Sequence, residues 1–82
     1  MRKKLTLDEY WIGVEIYQRR YPHQRYAQAA FNYLYDVRMD LSENIRGDRN
    51  LDPFYLTDEQ TQGHSPHNTW NAFKAFLKRN WN

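Results

Sequence analysis

Apolar and polar residues alternate along the first twenty positions with helical spacing. At about 100° per residue, Leu7, Tyr10, Trp11, Val14 and Tyr17 share one face, which is the signature of a helix packed on one side. Thr6-Leu7-Asp8-Glu9 opens this segment as a capping box, with Leu5 and Tyr10 placed as a hydrophobic staple. Arg19 and Arg20 suit the negative end of the helix dipole, and Pro22 stops the run. The pattern therefore predicts a helix over about residues 6–20. Ile12 and Ile16 fall on the opposite side, one turn apart, where a helix packed on one face should be polar.

A second stripe, Ala27, Ala30, Phe31, Leu34, Val37 and Leu41, predicts a helix over about 23–40 with no glycine or proline inside. Arg38 projects into that stripe and needs partners, which a clamp between helix and loop would supply, with Arg46 and Asp52 as the other members. Residues 42–46 read as a short helical turn capped by Ser42 and ended by a left-handed Gly47. From 48 to 65 glycine, proline, Asx and Ser/Thr dominate. This predicts a long ordered loop with one helical turn capped at Thr57 and with Leu51, Phe54, Tyr55 and Leu56 folded back onto the helices. Ser65-Pro66 resembles an N-cap followed by proline at the first helical position. It opens a third helix over about 66–80, on which Trp70, Phe73, Leu77 and Trp81 align. The expected fold is all-α: a small three-helix domain with a long ordered loop between the second and third helices.

Length allows one core and no more, since the chain has 82 residues. There is no cysteine, so neither disulfides nor thiolate metal sites can staple it. Fourteen aromatic side chains (three Trp, seven Tyr, four Phe) offer more ring surface than three short helices are expected to hide, and the excess suits an interface. No apolar run approaches a membrane span, and the opening residues do not form a secretory leader, so a cytoplasmic setting without membrane contact is expected. Net charge is only +2, too small to pull the whole chain onto nucleic acid.

Candidate chemistry is sparse. Asp48, Asn50, Asp52 and Glu59 copy part of a calcium-loop spacing, but Pro53 occupies the place that needs a glycine with positive φ. His23, His64 and His67 lack the cysteines or spaced fourth ligand of a zinc site. Asp36 and Asp40 read as a solvated helix face, and Arg46-Gly47-Asp48 as a chance adhesion tripeptide. No phosphate loop, nucleophile elbow or metalloprotease helix is present. The expectation is a binding protein, not an enzyme, with no metal and no cofactor.

Two surfaces compete for that role. Ile12, Ile16, Tyr33, Tyr35 and Phe76 are the candidate partner-binding residues, because they lie off the core stripes. Lys74, Lys78, Arg79 and Trp81 on the last helix are the alternative, a basic patch with an aromatic ring for nucleic acid. A homodimer would also use surplus apolar surface.

The run Arg25-Tyr26-Ala27-Gln28-Ala29-Ala30-Phe31-Asn32-Tyr33-Leu34, followed by Arg38, Asp40-Leu41, Ile45-Arg46-Gly47 and Asp52-Pro53-Phe54-Tyr55, resembles a group of short uncharacterised tailed-phage proteins. The resemblance covers about the middle third of the chain. It departs from the pattern at Met39, where proline is usual, and in a loop one residue longer before Asp52. It implies a phage-encoded accessory protein in the bacterial cytoplasm that binds a host protein and modulates it, for instance as an inhibitor of a host or defence factor. It brings no functional residues, but it implies that Phe31, Asn32, Arg38, Arg46, Asp52 and Phe54 form one packed unit.

Overall fold

The computed structural model describes residues 5–81 and is all-α, with no strand among the described residues. Helix α1 (Leu7–Arg20) starts where the capping box places it: Thr6 Oγ1 accepts from Glu9 N at 3.1 Å, and Glu9 Oε1 accepts from Thr6 N at 2.9 Å. Its inner face buries Tyr10 and Val14 completely.

The second helix differs from the expectation at both ends. Helix α2 (Tyr26–Val37) begins three residues later than the apolar stripe predicts, because residues 21–25 turn after Pro22. Its first amide finds a partner far away in sequence: Tyr26 N donates to Asp58 Oδ1 at 2.9 Å. It ends early as well. Arg38 leaves the helical region (φ −142°, ψ 69°), and a separate helix α3 (Met39–Ile45) starts in place of the turn expected over 42–46. Ser42 is thus not a cap. It is fully buried inside α3, and its hydroxyl donates to Met39 O at 2.9 Å. The break lets Leu41 and Ile45 reach the core that Phe31 and Leu34 line, while Arg38 pairs with Asp40 and lies over the Trp81 ring.

Met39 is then the first residue of a helix, not the interior of one. Proline is favoured at that position and costs about 3 kcal/mol or more inside a helix. Met39→Pro is therefore expected to leave stability within about 1 kcal/mol of the parent, or to raise it, in urea unfolding. A loss near 3 kcal/mol would show that the helix runs through Arg38 after all.

Gly47 has φ +79° and terminates α3, as expected. The following segment is ordered by its own side chains, with Pro53 and Leu56 buried, and carries the short helix α4 (Asp58–Thr61) capped by Thr57. Helix α5 (Asn68–Asn80) starts two residues beyond the Ser65-Pro66 signal, because His67 supplies the cap: its Nδ1 accepts from Thr69 N at 3.0 Å. Trp70, Phe73 and Leu77 then enter the core as the periodicity requires.

One aromatic cluster holds the helices together. The Tyr10 hydroxyl donates to Ala30 O at 2.6 Å, and its ring lies within 5.0–5.7 Å of Trp11, Tyr33 and Trp81. Burial, with Tyr26 and Tyr33 nearby, holds the Tyr10 hydroxyl well above the ordinary tyrosine range. Trp81 Nε1 donates to Leu5 O at 2.9 Å and so ties the two described ends.

Gly13 permits the contact between α1 and α2. A Cβ there would stand 2.5 Å from the Tyr33 ring carbons, so the missing side chain is what lets that ring lie on α1.

Candidate functional site

A concavity of about 450 Å³ lies between α2, the end of α3 and the segment after Gly47. Phe31 and Phe54 make its apolar floor, meeting edge to face at 5.9 Å. Asn32, Tyr35, Arg46 and Tyr55 stand around it. Tyr55 is 82% exposed although Phe54 and Leu56 beside it pack inward, which corrects the expectation that the whole segment folds back.

Two devices fix the outer wall. Asp52 binds backbone on both sides of itself: Oδ2 accepts from Gly47 N at 2.7 Å and Oδ1 from Phe54 N at 3.0 Å. From below, Arg25 donates through Nη2 to Phe54 O at 2.8 Å and through Nε to Leu56 O at 3.1 Å. Asp48 Oδ1 likewise accepts from Asn50 N at 2.8 Å, so Asp48 and Asp52 both bond to nearby backbone amides. The cleft is thus held in shape before anything enters it.

Arg46 is the cation at the rim. Its side chain is 66% exposed and only loosely paired, at 3.6 Å from Glu43. Both Asp52 oxygens are engaged by amides, so the guanidinium, paired only loosely with Glu43, is accessible to an acidic group from outside. The chemistry on offer is an aromatic slot with one positive charge at its edge.

The clamp expected from sequence, Arg38 with Arg46 and Asp52, does not form; Arg25 and Asp52 hold the loop instead. Arg38 does not reach the loop: it makes a two-pronged pair with Asp40 at 2.9 and 3.0 Å and lies 5.0 Å over the Trp81 ring. That pairing holds the Asp40 carboxyl below the usual aspartate range. The helix break separates Asp36 from Asp40, so they do not share a helix face. Arg25, the arginine that does clamp, gives no signal in the sequence because its acceptors are backbone carbonyls some thirty residues away.

The partner-binding candidates disperse. Tyr35 reaches the cleft. Ile12 and Ile16 lie together on the outside of α1, 61% and 53% exposed. Tyr33 is half-buried between Tyr10, Tyr17 and Gly13, and Phe76 packs in part against the core, so both are largely engaged within the fold. Of the nucleic-acid candidates, Lys74, Lys78 and Arg79 are exposed on α5. Trp81 is not available as a base platform, because Arg38 covers its ring, Tyr10 lies 5.2 Å away and its indole N–H is bonded.

Five of the six residues that the phage-protein resemblance groups together, Phe31, Asn32, Arg46, Asp52 and Phe54, line this cleft, and Arg38 does not. No group of three or more metal-ligating side chains forms among the described residues, and none of their helices is long and apolar enough to cross a membrane. Compared with protein families, curated proteins and solved structures, the chain matches none.

Proposed function

We propose that this chain is a protein-binding module of the phage accessory kind, which grips a segment of a host protein in the cytoplasm and alters that protein's activity by occupying its surface. The observation that carries the reading is the pre-shaped cleft with the exposed Tyr55 on its wall. Tyrosine and arginine are the residue types that dominate binding energy at protein interfaces, and here Tyr35, Tyr55 and Arg46 surround an apolar floor. A cleft already ordered by Asp52 and Arg25 loses little entropy on binding, which favours affinity from a small contact. The matching ligand is a peptide segment with one apolar or aromatic anchor next to an acidic residue.

The test is affinity capture from nuclease-treated bacterial lysate at low and high salt, with parent, Tyr55→Ala and Arg46→Glu proteins side by side. Tyr55→Ala is expected to weaken retention of the captured protein roughly 10- to 30-fold, which corresponds to about 1.4–2 kcal/mol. Arg46→Glu is expected to do so most at low salt. A captured protein indifferent to both substitutions would sink the cleft as the binding site. A signal abolished by nuclease or by salt alone would transfer the role to Lys74, Lys78 and Arg79.

A further inference from the structure

The outward face of α1 presents a different surface, away from the cleft. Ile12 and Ile16 form a ridge between two grooves, one of about 490 Å³ reaching Trp70 and Lys74 and one of about 160 Å³ reaching Tyr33. Exposed charges bracket the ridge: Asp8 in the first turn, and Arg19 with Arg20 in the last. Among the described residues, Asp8, Arg19 and Arg20 make no ion pair.

We infer that this ridge is the contact of an antiparallel homodimer, α1 against α1 of a second copy, about a two-fold axis that crosses the ridge at the height of Val14. The charge order selects the occupant and its direction. A helix that is acidic at one end and basic at the other complements an antiparallel copy of itself, whereas a parallel copy would set like charges together. Val14 is midway between Ile12 and Ile16, so the axis brings Ile12 of one copy level with Ile16 of the other and closes four isoleucines into one cluster.

The flanks agree as well. At about 100° per residue, Asp8 and Arg19 lie on one side of the ridge while Glu9 and Arg20 lie on the other. A two-fold axis sets each flank against itself, so Asp8 meets Arg19 of the second copy at nearly the same height. Arg20 of that copy falls on the Glu9 side. Glu15 would face its own symmetry mate on the Asp8 flank, and there Lys74 shares its groove and offsets the repulsion. One helix face with its bordering grooves is at the small end of specific interfaces, so the dissociation constant belongs in the micromolar range.

Sedimentation equilibrium from micromolar to millimolar protein tests this. The parent is expected to pass from monomer to dimer, and Ile12→Asp/Ile16→Asp to stay monomeric with unchanged helical circular dichroism, since both side chains are exposed already. Asp8→Arg is expected to weaken the dimer about tenfold, because two-fold symmetry counts each substitution twice. Adding Arg19→Asp in the same chain restores the pair with reversed sign and should recover most of that loss. Tyr55→Ala, in the separate cleft, should dimerise like the parent. A parent that stays monomeric at millimolar concentration, a dimer that survives both isoleucine substitutions, or a folded double charge variant no tighter than Asp8→Arg alone would each overturn the inference.

Discussion

Tyr10→Ala is expected to lower the melting midpoint by roughly 15–30 °C. The ring is fully buried at the meeting point of α1, α2 and α5, and truncating a buried aromatic side chain costs about 3–5 kcal/mol. A domain of this length holds only about 4–12 kcal/mol in all, so the variant stands near the edge of folding. Tyr10→Phe separates the hydroxyl from the ring. It keeps the packing, loses the bond to Ala30 O, and is expected to cost about 1 kcal/mol, since α2 still engages that carbonyl. The same hydroxyl also gives an alkaline signature. Its folded pKa is raised by burial, so the stability it confers is fully present below the ordinary tyrosine value near 10 and falls as pH rises beyond it, where the unfolded chain ionises first. Tyr17 and Tyr26, also raised by burial, act in the same direction. Chemical unfolding at neutral pH and above pH 10 should show the parent losing stability more steeply than Tyr10→Phe. Parallel losses in the two proteins would show that Tyr10 ionises freely when folded.

Arg25→Ala is expected to cost about 2 kcal/mol, and should also disable the cleft although Arg25 is not among its lining residues. Its guanidinium satisfies two carbonyls, of Phe54 and Leu56, in a partly buried place. Removing it leaves those acceptors short of partners and frees the wall that carries Tyr55. Arg25→Lys is expected to recover only part of the loss, because an ammonium cannot serve both acceptors with the planar fork of arginine. Urea unfolding gives the stability change, and NMR shifts of the Phe54 and Tyr55 rings report the wall. If the rings keep their shifts in Arg25→Ala, the segment is held by Asp52 and packing alone. Binding that disappears in Arg25→Ala and in Tyr55→Ala alike would place wall order and side-chain contact in one mechanism. The Ile12 and Ile16 ridge supplies an independent control, since it lies on another element.

Read residue by residue, the sequence determined what short-range physics controls. Thr6 with Glu9, Thr57 with Gln60 and Gly47 act on neighbours within four residues, so these boundaries are legible from local order alone. Periodicity likewise put Tyr10 and Val14, then Trp70, Phe73 and Leu77, on inward faces, and left Ile12 and Ile16 outside. Only the tertiary structure decided the rest. The start of α2 depends on Asp58, thirty-two residues away, and the break at Arg38 is invisible to a stripe whose spacing fits a straight helix and a bent one equally. Tyr33 and Phe76 are half-buried because Gly13 and the core received them, while Tyr55 stayed out because its neighbours on both sides were pinned. A pattern along a chain records which residues share a face; which distant backbone atom meets that face is set by packing, and there the cleft was made.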